Sequence, residues 1–327
     1  MRGNELQTNQ GEAKITMKHL PDIRRCDVET KEDVYRALED SSIKDEKLKS
    51  DLRNRLQIGS VPKGITFEEL LLANTYKKSA INWSSSIKNS DPRVLAIEIA
   101  AGWIADRFDA YKNALEANAI SRDIYNIKSH DGQSNNSEES DQYEKHIALE
   151  MYNLHKKKNT KGFAVHGHEF GEIVNYEVPL SGKGENGLDD CRGDIDLVAV
   201  GNNAGEKTLS LIELKRSKNN QETILRCILE VYTYAKTIKD ITAFKEQFNC
   251  PNARLILCPL VFKGTNMYEE LQYLLSVKSN QENGLTRLIS CIEADELLKA
   301  TVKFSWIDPA EEIDCSIRNW MNKEPVR

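Results

Sequence analysis

A chain of 327 residues with a net charge of −6 and 39% hydrophobic residues is long enough for two domains and can bury a sizeable core. The charged fraction of 29% suits a folded protein rather than a disordered one. A pI near 5.7 excludes a surface coated with nucleic-acid-binding charge, so any polyanion must be met by a local patch. No apolar run approaches the roughly 20 residues of a membrane helix. The polar N-terminus around Arg2, Glu5 and Glu12 lacks a secretory apolar segment, so a cytoplasmic protein without membrane contact is expected.

The stretch 1–127 reads as an all-helical domain. Thr30 and Asp33 form an acidic variant of the capping box ahead of a segment through Val34 and Leu38 toward Leu56. A turn-rich connection at 59–64 leads to a helix at 67–76. Asp91 then caps a further helix with Pro92 in its first position. From Val94 to about Ala119, Leu95, Ile97, Ile99, Ile104, Phe108 and Tyr111 recur near helical spacing, with Gly102 interrupting. Nothing in this part has catalytic spacing; recognition, regulation, self-association or a protein partner is assigned to it. Residues 128–141, polar and acidic, form the expected linker.

Residues 142–327 change to a mixed α/β pattern. A helix over 143–158 places Tyr143, Ile147, Met151 and Leu154 on one face, and a strand-like run follows over 163–178. Strands at 194–200 and 209–215 flank a Gly-Asn-Asn-Ala-Gly turn, a helix spans about 222–237, and an apolar strand covers 254–262. Seven scattered cysteines without a C-x-x-C pair indicate neither a zinc site nor a disulfide framework.

Asp196 stands among Ile195, Leu197 and Val198, while Glu213 and Lys215 share one face of their strand because side chains alternate. If the two strands form a hairpin, two acids and an amine converge at one sheet end. Paired buried carboxylates repel each other or take up a proton unless a hard divalent cation joins them.

The run Gly193-Asp194-Ile195-Asp196-Leu197-Val198 followed by Ile212-Glu213-Leu214-Lys215 resembles the core motif of the PD-(D/E)XK nuclease superfamily, as does the separation of 17 positions between Asp196 and Glu213. The resemblance covers roughly 142–262. It implies a restriction-endonuclease-like mixed sheet flanked by helices and Mg²⁺-dependent phosphodiester hydrolysis, with Mn²⁺ able to substitute. DNA is expected as substrate ahead of RNA. Asp196, Glu213 and Lys215 are then catalytic; Glu144, Asp196, Glu213 and the Leu214 carbonyl bind metal, with Glu150 competing for the place of Glu144. On the following helix the family often carries Gln-x-x-x-Tyr; here Tyr234 fits and Glu230 replaces the Gln. Glu230, Tyr234, Lys236, Lys156 and Lys157 are candidate substrate contacts. A variable helical domain fused to such a nuclease also resembles bacterial restriction and anti-phage effectors. The rival reading is a silent nuclease-fold module that binds nucleic acid or protein. Asp194 is read as a turn residue or a ligand, and His166 and His168 as an exposed pair or a metal or phosphate site.

Overall fold

A computed structural model describes residues 56–58, 81–83, 101–102, 104–106, 108–117, 119, 125, 143–157, 162–180, 194–216, 223–277, 284–311 and 313–322. In the N-terminal part these include two short strands, β1 (Leu56–Ile58) and β2 (Ile81–Trp83), paired antiparallel. Both triplets, Leu-Gln-Ile and Ile-Asn-Trp, are too short for alternation to stand out in the sequence. A helix, α1 (Phe108–Ala117), follows. The other N-terminal helices expected from sequence, and the linker at 128–141, lie outside the described residues.

After α2 (Tyr143–Lys157) come β3 (Val165–Gly167), β4 (Glu172–Pro179), β5 (Asp194–Asn203) and β6 (Glu206–Leu214). Then follow α3 (Ile224–Thr237), α4 (Ile241–Gln247), β7 (Arg254–Phe262), α5 (Asn266–Val277), α6 (Gly284–Glu293), β8 (Ala300–Val302), β9 (Ser305–Ile307) and α7 (Cys315–Asn322). One seven-stranded sheet runs in the order β3-β9-β7-β6-β5-β4, with β8 also on β7. The β4–β5–β6 meander is antiparallel, whereas β7 pairs parallel with β6, β8 and β9, so the sheet is mixed. The strand-like run expected over 163–178 is two strands, broken where Gly171 takes φ 88°. A Cβ there would strike the Val200 carbonyl, so only glycine fits. The β5–β6 turn is tighter than its five-residue motif suggests: Asn203 already pairs with Glu206, and Ala204 and Gly205 both take positive φ.

Each face of the sheet carries its own apolar core. Leu209 and Leu211 face α1, α3, α5 and α6, while Ile212 and Leu214 face α2 and α7. On α2 the face foreseen from sequence, Tyr143, Ile147, Met151 and Leu154, is buried. Helix α1, which precedes the linker, belongs to the same core as the sheet. Tyr111 stacks on Tyr232 of α3, and the Tyr111 and Thr233 hydroxyls lie 2.9 Å apart. Among the described residues no helix is long and apolar enough to cross a membrane. Cys227, Cys250 and Cys258 are buried free thiols.

Candidate active site

The β5–β6 ladder is paired as far as Leu197 opposite Ile212. Beyond that point the strands part, and the Leu214 N–H donates to Asp196 Oδ2 at 2.7 Å. A side-chain carboxylate thus replaces a rung of main chain at the end of the sheet. The backbone also turns over here. Ile195 and Val178 join one core while Leu197 and Tyr176 join the other, although residues two apart on a strand normally share a face. The two residues between them, Asp196 on β5 and Glu177 on β4, occupy the crossover.

Glu213 continues the face of Leu209 and Leu211 and so points beneath α3. Lys215, two residues on, donates from Nζ to Glu213 Oε1 at 2.6 Å and also pairs with Glu230 Oε2 at 2.7 Å. The three residues expected to form the catalytic core, Asp196, Glu213 and Lys215, are therefore brought to one sheet end. From the other side of the sheet, α2 delivers Glu144, whose Oε1 accepts the Arg216 N–H at 2.9 Å. Its charge is felt at Asp196. Glu150, six residues later, leaves the helix about 240° away in projection and is directed elsewhere. In an extended strand a residue's N–H and C=O face the same edge, so the Leu214 carbonyl opens on the Asp196 side.

The electrostatics are those of crowded acids. Burial, then the charges of Glu177 and Glu144, push the Asp196 carboxyl well above its usual range, against the pull of Lys215 and the Leu214 N–H. Burial and the charge of Asp196 do the same to Glu213. Glu213 is 3% exposed, and its Oε2 is buried without a hydrogen-bond partner. An unpartnered buried carboxylate oxygen beside a second repelled acid fits a hard oxygen-seeking cation, which would relieve both penalties. Among the described residues no three His, Cys, Asp or Glu side chains already stand in ligating geometry. The fit therefore rests on the Asp196–Glu213 pair, with Glu144 held back by its bond to Arg216.

Two residues that motif reasoning did not single out belong to this site. Glu177 lies between Tyr176 and Val178, which pair with Leu197 and Ile195 on either side of Asp196, and has φ 44°, a left-handed conformation that a non-glycine residue adopts at a cost of about 1–3 kcal/mol. Burial lifts its carboxyl to about 7, against the attraction of Lys145. Lys145 Nζ sits 2.8 Å from Glu177 and 3.7 Å from Asp194, the acid read as turn residue or ligand. An acid between Tyr176 and Val178 was the available signal.

The remaining candidates divide by helix face. On α3, Arg226, Glu230 and Tyr234 are four residues apart and form one row on the site side. Burial and the charges of Glu213 and Glu230 raise the Tyr234 hydroxyl. Glu230 accepts from Arg226 Nε at 2.8 Å. Against burial, Lys215 and Arg226 hold its carboxyl down at about 2. Lys236 corrects the sequence expectation. It lies on the opposite row with Tyr232, and its ammonium is fixed between Glu116 at 2.6 Å and Asp295 at 2.8 Å, turned away from Asp196. Lys156 does not reach the site either. It is exposed twelve residues beyond Glu144, about 18 Å along the helix axis, and Lys157 follows it. His166 bonds Glu311 at 2.8 Å and stacks on Trp306. His168 is half-buried with Nε2 3.5 Å from the Ser210 hydroxyl. No protein-family model, curated protein or solved structure matches this chain, so geometry and chemistry carry the functional reading.

Proposed function

We propose that this chain is a Mg²⁺-dependent nuclease that hydrolyses phosphodiester bonds, in DNA ahead of RNA. The observation that carries the reading is the juxtaposition of Asp196, Glu213 with its unpartnered Oε2, and Lys215 at one end of a mixed sheet. Asp196, Glu213 and the Leu214 carbonyl would hold the cation, with Glu144 as the further acid. The ion, when bound, supplies a water acidified toward neutrality and offsets charge on the phosphate. The chain's own part is electrostatic. Lys215 presents an ammonium beside the two acids, where it can donate to the attacking water or a phosphate oxygen as negative charge develops. Leu214 N–H fixes the orientation of Asp196. The setting of a bacterial restriction or anti-phage effector rests on likeness of architecture alone.

The test incubates the purified protein with plasmid, single-stranded DNA and RNA in Mg²⁺, Mn²⁺ or EDTA, alongside Asp196→Ala and Lys215→Ala. Divalent-dependent cleavage that both substitutions remove is expected. Equal trace activity in all three proteins overturns the reading. One observation favours a silent binding module: among the described residues no three His, Cys, Asp or Glu side chains stand where they could hold a metal ion. That alternative gives nucleic-acid binding with no divalent-dependent cleavage in the same experiment.

A further inference from the structure

We infer that Glu230 is a positioning residue that fixes the Lys215 ammonium in the site by clamping it against Glu213. The inference rests on the nuclease reading for its kinetic consequence, and on geometry alone for its structural one. A lysine carries its charge on a flexible four-carbon stem with rotatable donors, so one ion pair leaves the ammonium several positions. Here two buried carboxylates take it from two elements: Glu213 Oε1 from β6 at 2.6 Å and Glu230 Oε2 from α3 at 2.7 Å. All three side chains are at most 5% exposed.

Glu230 is itself held. Its other oxygen accepts from Arg226 Nε, one helical turn earlier, at 2.8 Å. Helix α3 is anchored just before Arg226: the Thr223 hydroxyl caps it by accepting the Arg226 N–H at 3.1 Å, and the Ile224 N–H donates to Glu270 at 2.8 Å. A rigid chain of contacts therefore runs from the start of α3 through Arg226 and Glu230 to Lys215. Without Glu230, the charges at Asp196 and Glu213 would draw the ammonium toward themselves. With it, Lys215 is pulled from the opposite side and stays between β6 and α3. Against burial, Lys215 and Arg226 hold the Glu230 carboxyl down at about 2.

The test reads the position of the ammonium directly, on the full chain labelled with nitrogen-15 lysine. Buried, paired ammonium groups exchange slowly enough to appear in a proton–nitrogen correlation spectrum. One such signal should vanish in Lys215→Arg and another in Lys236→Arg. In Glu230→Ala the Lys215 signal is expected to disappear while that of Lys236 persists, and Glu230→Gln should retain it at a shifted position. In cleavage assays kcat should fall about 10- to 100-fold in Glu230→Ala, with KM changed less and part of the loss recovered in Glu230→Gln. A Lys215 signal unaltered in Glu230→Ala, or wild-type kcat in that variant, overturns the inference. Should Glu230→Ala fail to fold by circular dichroism, Arg226→Ala, which frees Glu230 from its second hold, gives the same spectral readout at smaller amplitude. A wild type that never cleaves refutes the nuclease reading, and the signals alone then decide the clamp.

Discussion

Helix α3 carries two buried ion clusters on opposite faces, and they differ in what they do to their acids. On one face Lys236 and the Tyr232 hydroxyl hold Asp295 below its usual carboxylate range in spite of burial, within a group that also takes in Glu116. On the other, Lys215 stands among Glu213, Asp196 and Glu230, and burial with mutual repulsion pushes Asp196 and Glu213 well above theirs. The first cluster gathers its acids around the Lys236 ammonium and welds α1 to the core. The second sets Asp196 and Glu213 against each other, leaves Glu213 Oε2 without a hydrogen-bond partner, and sits beside the left-handed Glu177. Perturbation toward the uncharged form, unmet polar atoms and backbone strain at one place mark a site arranged for something other than stability.

The sharpest way to break this contrast is to remove one member from each cluster. Asp196→Ala should lower divalent-dependent cleavage by about a thousandfold or more while leaving the melting temperature near wild type. Lys236→Met should do the reverse. It leaves Asp295 buried with a charge and no cation, at a cost of about 3–5 kcal/mol in denaturant unfolding, and cleavage per folded molecule should stay unchanged. If Lys236→Met abolished cleavage at full stability, the two faces of α3 would not be separate.

Glu230 joins the two behaviours, being an acid on the site face that is nonetheless held low. Its folded value near 2 lies below its ordinary 4.5, so it favours the folded state above about pH 4.5, and that contribution is lost as pH falls toward 2. Wild type should therefore exceed Glu230→Gln in stability by at most about 3 kcal/mol near neutrality. The gap should close between about pH 4.5 and 2. A gap constant over that range would show that Glu230 is not held by its cations.

Much of the site side was legible in the chain because strand alternation and residue spacing are local. Glu213 and Lys215 share a face by periodicity, and the hairpin register needed only the glycine-rich turn to set Asp196 beside them. Helical periodicity equally contains the row of Arg226, Glu230 and Tyr234, and it would have set Lys236 apart, two residues from Tyr234 and thus about 200° around the helix. What local pattern cannot carry is the partner across the sheet. Glu177 becomes a neighbour of Asp196 only through the β4–β5 register, which depends on a bulge near Asn175 and on the approach of Gly171 to Val200. The docking of α1 on α3 was hidden for the same reason: Tyr111 and Tyr232 are distant in sequence, and the polar stretch between suggested a boundary. Beyond Phe262 the short strands β8 and β9 have too few residues to show a period.

The smallest expected effect is the most telling about the site's charge. If Glu213 is raised because it is buried against Asp196, then removing its charge relieves repulsion. Glu213→Gln should raise the stability of the metal-free protein by about 1 kcal/mol, even as the Lys215 contact weakens. In wild type, millimolar Mg²⁺ or Mn²⁺ should raise the melting temperature through preferential binding to the folded state, and Glu213→Gln should abolish that increment. Both readouts come from thermal unfolding without any substrate. A destabilised Glu213→Gln, or one still stabilised by the ions as strongly as wild type, would assign Glu213 to the kind of cluster that Lys236 represents.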